Sequence, residues 1–171
     1  MPGNVARQLN PLRWLGLPVL VCAVGSLILA TPMRVFGLQL PEPVFAMVPA
    51  FAWAMIRPSV LPPFVLLLLG LYLDVLWGGP TGLWPACLLV AYAPVLLLRS
   101  VLAGQSFIAM WIWYAAACAL AFAFGTYLLM LDSGAVPSLI AVGWQWLVTA
   151  ALYPFAHGLI ERYEDADVRF R

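Results

Sequence analysis

Hydrophobic residues in this chain fall in long runs separated by short polar breaks, with little of the alternation that marks a strand. Six runs, at about 14–30, 40–56, 60–77, 82–98, 106–131 and 138–160, approach the roughly 17 to 25 residues a helix needs to cross a hydrocarbon layer about 30 Å thick. The pattern predicts an all-α polytopic membrane protein, a six-helix bundle forming one integral domain over residues 1–171 with a cytoplasmic tail at 161–171. The second run is the weakest. Pro41, Pro43 and Pro49 punctuate it, and its clean part, Val44 to Ile56, is short enough to be re-entrant. Connections are short, so sequential helices are expected to be neighbours.

Composition strengthens this picture. The chain is 65% hydrophobic and 9% charged, with mean hydropathy +1.00; soluble domains carry about 25% charged residues to cover their surface. Lipid is therefore an expected partner. The net charge of +1 and the lack of basic stretches with interleaved aromatics give no reason to expect nucleic acid.

Every basic residue is arginine, and the arginines orient the chain. With six crossings and both termini inside, Arg7, Arg13, Arg57, Arg99, Arg162, Arg169 and Arg171 lie on the cytoplasmic side and only Arg34 outside, as the positive-inside rule asks. If the second run fails to cross, the better orientation exports Arg7 and Arg13 and keeps the other six inside, a poorer balance. Trp14 to Ala30 is longer than a usual signal core and lacks a clear small-x-small cleavage site, so it is expected to remain as the first anchor.

Cys22, Cys87 and Cys118 lie far apart within apolar runs, so neither a disulfide framework nor a metal-ligand spacing emerges. Trp14, Trp77 and Trp84 at run ends suggest an aromatic belt. The segment ERYEDADVRFR at the C-terminus reads either as a solvated tail or as a docking segment for a cytoplasmic partner.

Asp74 is the polar residue that asks for a reason. It lies near the end of the run LLLLGLYLDVLW, one turn before GGPTG. A charged Asp at the centre of a membrane helix costs about 2.5–3.5 kcal/mol, and near a helix end interfacial water lowers that cost. It is either an interfacial carboxylate or a lock that accepts hydrogen bonds from the Gly78–Gly82 turn or the start of the next helix. Gly78, Gly79 and Gly82 permit the turn, and Pro80 fixes its own φ without supplying a donor.

Catalysis needs convergent reactive groups, and the sequence offers few. His157, the single histidine, has Tyr153 and Glu161 on its helical face but belongs to the opposite membrane side from Asp74. No nucleophile elbow, zinc helix or P-loop is present. No catalytic residue, metal site or cofactor is expected. A transporter could use broken helices, yet Asp74, Thr126, Gln145 and Thr149 are the main polar side chains available inside, and Gln145 more commonly serves to bond a neighbouring helix.

The stretch PPFVLLLLGLYLDVLWGGPTGLWPACLLVAY, residues 62–92, resembles the MreD family of rod shape-determining proteins. Gly70, Asp74, Gly78, Pro80, Gly82 and Leu83 occupy the positions of that family's G-x-x-x-D run, its Gly/Pro turn and the following G-L. The resemblance implies a non-enzymatic inner-membrane subunit of the cell-elongation machinery. It further implies association with an MreC-like single-span protein and, through it, with MreB filaments, the RodA glycosyltransferase and its partner transpeptidase. A six-helix bundle similar to the substrate-binding subunits of energy-coupling-factor transporters is implied as well, which makes a vitamin-type transporter subunit the alternative. The residues this places at a structural or interface site are Gly70, Asp74, Gly78, Gly79, Pro80 and Gly82. Ala115, Ala116, Ala117, Ala119, Ala121, Ala123 and Gly125 in the fifth run form a smooth face, suited to internal packing, to lipid or to a partner's helix.

Overall fold

A computed structural model describes residues 12–29, 34–35, 38–39, 42–56, 59–134 and 136–168. A π-helical turn at Leu12–Gly16 leads into α1 (Leu17–Leu29), and a two-residue antiparallel ribbon pairs β1 (Arg34–Val35) with β2 (Leu38–Gln39). Then follow α2 (Met47–Ile56), α3 (Leu61–Trp77), α4 (Leu83–Leu102), α5 (Phe107–Ser133), α6 (Leu139–Ala150) and α7 (Tyr153–Val168). Arg7, Arg57, Arg169 and Arg171, on which the charge asymmetry depends, lie outside the described residues, as do Leu40 and Pro41 of the second run.

Among the described residues three stretches, Leu83–Leu102, Phe107–Ser133 and Leu139–Arg162, are long and apolar enough to cross a membrane. Trp14–Ile28, Met47–Ile56 and Leu61–Trp77 are apolar but shorter. The helix ends of the third to fifth runs fall close to where the hydropathy places them. The second and sixth runs differ.

In the second run only Met47–Ile56 is helical. Ten residues at 1.5 Å each span about 15 Å, half the hydrocarbon thickness. Every side chain from Met47 through Ala54 is buried, so α2 is the hub of the bundle, and its all-round apolar surface is what such a position requires. It packs against α3, α4, α5 and α7.

The approach to α2 is irregular and equally buried, with Val44 and Ala46 fully enclosed. Irregular backbone survives in such surroundings only if its polar groups find partners. They do. Val44 N–H donates to the Thr149 hydroxyl at 3.1 Å, and the Glu42 carbonyl accepts from Gln145 Nε2 at 3.2 Å. The carbonyls of Val44, Phe45 and Ala46 accept from Met47, Val48 and Ala50.

The sixth run is two helices, parted at Ala151 and Leu152. Pro154 has no N–H to give the Ala150 carbonyl four residues earlier, which ends the regular ladder there. α5 fills the deficit: Trp111 Nε1 donates to the Ala150 carbonyl at 2.9 Å and the Tyr114 hydroxyl to that of Thr149 at 3.2 Å. Beyond the break, α7 continues helically through Val168 into the segment expected as a tail.

The two interruptions meet at the Thr149–Val44 bond, and aromatic rings fill the space beside it. Phe51, Tyr114 and Tyr153 are enclosed, with Phe51 meeting the two tyrosine rings edge-on at 5.4 and 6.4 Å. Cys22, Cys87 and Cys118 are free thiols within the same packed interior.

Candidate functional site

The α3–α4 corner gathers most of the residues that the sequence singles out. Asp74 is 2% exposed, and both of its carboxylate oxygens are engaged. Oδ2 accepts from the backbone N–H of Gly82 at 2.6 Å, and Oδ1 from that of Trp84 at 2.9 Å. One donor thus comes from the turn and the other from the start of α4, the geometry expected of a lock.

Asp74 does the work of a missing N-cap. The capping position of α4 is Gly82, in the left-handed region at φ 96°, which has no side chain to offer. The donors at this helix start can be followed one by one. Gly82 and Trp84 bond Asp74, Leu83 N–H bonds the Pro80 carbonyl at 3.2 Å, Pro85 has none, and Ala86 N–H opens the ladder on the Gly82 carbonyl at 3.1 Å. No amide is left over. The carboxylate also faces the positive end of the α4 dipole, which favours its charge.

Gly70 lies one helical turn before Asp74 on the same face of α3. A Cβ there would come within 2.8 Å of the Pro85 ring and closer still to the Pro85 backbone. Gly70 therefore lets the first turn of α4 settle onto α3, and Asp74 pins the same turn by its amides. Gly78 ends α3 in the left-handed conformation, φ 64°. Gly79 and Pro80 complete the turn, with Gly79 close only to a Leu83 methyl at 4.0 Å. The sequence reading missed Pro85. Its signal was its place as the third residue after Gly82, where a proline fits because that N–H would have no helical partner.

α4 is clasped from its other side in a similar way. A Cβ at Gly125 of α5 would lie 2.8 Å from Cys87 Sγ. This divides the small residues of α5. Ala117, Ala121 and Gly125 are buried in the bundle, while Ala119 and Ala123 line an open apolar groove of about 440 Å³ shared with Leu139, Val142 and Trp146 of α6.

Three tryptophans tie helices together by donating to backbone carbonyls, a role that an aromatic belt leaves out. Trp53 Nε1 bonds the Trp14 carbonyl at 3.2 Å, Trp146 Nε1 that of Ala115 at 2.9 Å, and Trp111 holds the break in the sixth run.

His157 sits at the other end of the bundle, beside the start of α5. Its Nε2 stands 3.0 Å from Glu161 Oε1, Tyr153 Oη is 3.5 Å from Nδ1, and the Phe107 ring packs edge-on at 4.9 Å. Asp74 and His157 are separated by the length of α4, about 30 Å for its 20 residues. They do not form one site. Among the described residues no group of three His, Cys, Asp or Glu side chains converges as a metal site would require.

No family model, curated protein or solved structure matches this chain.

Proposed function

We propose that this chain is a non-enzymatic subunit of the cell-elongation machinery, MreD-like, with six passes through the bacterial inner membrane, the second made by α2 together with the irregular buried segment ahead of it, and with both termini cytoplasmic. In this reading its bundle is arranged like the substrate-binding subunits of energy-coupling-factor transporters. It holds the transmembrane helix of an MreC-like single-span protein and biases the complex of MreB filaments, RodA and its transpeptidase toward an active arrangement. The groove between α5 and α6 is the proposed seat of that helix, since small residues allow close backbone approach where no hydrophobic force drives association.

The observation that carries this reading is the joint use of the residues behind the resemblance. Gly70, Asp74, Gly78 and Gly82, spread over thirteen positions, build one rigid corner through the Pro85 contact and the two amide bonds to Asp74. Both oxygens of Asp74 are spent on holding backbone, which suits a part that positions a partner better than one that moves a proton.

The test is gentle extraction of a tagged copy from its native host, with identification of what co-purifies. Recovery of an MreC-like protein with the elongation synthases, together with rounding of cells on depletion, supports the proposal. Recovery of an ATPase pair with a second membrane subunit overturns it in favour of a small-molecule transporter.

A further inference from the structure

At the hairpin end of the bundle, a groove of about 680 Å³ separates the α3–α4 corner from the first half of α6. Glu42, Trp77, Trp84, Trp144 and Gln145 line it, and among the described residues no arginine or histidine does. We propose that this groove binds the primary ammonium headgroup of an ethanolamine phospholipid. The proposal is independent of the wall-synthesis reading; of the corner's residues it uses only the Trp77 and Trp84 side chains, while the lock uses the Trp84 backbone.

The chemistry of the walls selects the charge. Indole faces attract cations through the ring quadrupole, and three indoles lie around one space here. Trp77 and Trp84 pack edge to face at an angle of 64°, with centroids 4.7 Å apart, and together make one wall of the groove. The Glu42 carboxylate has no ion-pair partner among the described residues. Gln145, which also lines the groove, donates Nε2 to the Glu42 carbonyl and so ties α6 to the segment that carries the carboxylate. A carboxylate set among π faces fits a cation that carries N–H donors, which distinguishes a primary ammonium from a quaternary one.

The position selects the source. Trp77 is the last residue of α3 and Trp84 the second of α4, so the groove lies at the level where helix ends meet the bilayer surface. α6 stands off from the bundle along this edge, with no buried residue before Thr149. Its outward residues Ile140 and Trp144 are 76% and 59% exposed, leaving an apolar path for an acyl chain beneath the headgroup. Among the described residues the buried indole N–H of Trp77 meets no acceptor, and a lipid phosphate is a group that would supply one.

Native mass spectrometry of the full-length protein, delipidated in mild detergent and titrated with defined lipids, tests this. Wild type is expected to retain one phosphatidylethanolamine in at least about tenfold preference to phosphatidylglycerol. Glu42→Gln keeps the backbone carbonyl that Gln145 uses and should abolish the preference. Trp144→Ala removes an exposed wall and should weaken retention about tenfold, while Trp113→Ala, outside the groove, should change nothing. Equal retention of both lipids by wild type, or an unaltered preference in Glu42→Gln, overturns the proposal. So does competition by soluble glycerophosphoethanolamine at the lipid's own concentration, which would make the occupant a free amine.

Discussion

Gly70 and Pro85 sit on neighbouring helices with no space between them for a single methyl group. The obstructing atoms are backbone and a proline ring, neither of which can swing aside. Gly70→Ala is therefore expected to separate α3 from α4 and lower stability by about 1–3 kcal/mol, the usual cost of overpacking. Thermal unfolding in detergent measures it. Gly143→Ala, where nothing lies within 4 Å, is the comparison and should be neutral or slightly stabilising.

Asp74 can be taken apart in two steps. Asp74→Asn keeps one acceptor oxygen and turns an amide NH₂ toward the other backbone donor, so about 1–2 kcal/mol should be lost. Asp74→Leu strands both the Gly82 and Trp84 amides and should cost about 2–5 kcal/mol. Unfolding midpoints of the two variants, compared at equal expression, check the order. Equal losses would indicate that charge matters more than hydrogen bonding, and would point to an ion pair instead of a lock.

Gly125 and Cys87 should behave as a coupled pair. Gly125→Ala pushes a methyl onto Cys87 Sγ and is expected to cost about 1–3 kcal/mol. Adding Cys87→Ala removes the obstructing sulfur, so the double variant should be more stable than the sum of the single effects predicts. A double-mutant cycle should give a coupling of about 1 kcal/mol or more. Simple additivity would mean that α5 relaxes away from α4.

Thr149 bridges the two interruptions in the bundle, accepting from Val44 N–H and donating to the Gln145 carbonyl at 2.7 Å. Thr149→Val keeps the shape but removes the acceptor, leaving a buried amide unmet at about 1–3 kcal/mol. Hydrogen exchange at the Val44 amide should then accelerate about tenfold to a hundredfold, reflecting local opening. Thr149→Ser retains the hydroxyl and should protect Val44 nearly as well as wild type.

Asp74 was legible because it broke a pattern: a carboxylate closing an apolar run just before a glycine-rich turn has few ways to be satisfied, and the nearby amides are the nearest. The helices α3, α4 and α5 were legible for a similar reason, since Gly, Pro and Ser punctuate their ends. What hydropathy alone does not separate is lipid from protein as an apolar environment. The residues of α2 read like any membrane run, and only its brevity and its prolines hinted at a short enclosed helix. The break in the sixth run had one visible sign, Pro154. Its depth, and the donation of Trp111 to the freed Ala150 carbonyl from 39 residues away, depend on tertiary packing that no local pattern encodes.

The enclosure of α2 has a consequence for how the protein is made. A helix enclosed on all sides gains little from leaving the translocon by itself, and one of its main neighbours arrives late. α7, against which it packs, begins at Tyr153, nearly a hundred residues after α2 ends. α3 and α4 can cover one side of residues 42–56 early, but their enclosure is complete only once α7 has emerged. The enclosure of an early helix is thus finished by one translated near the end.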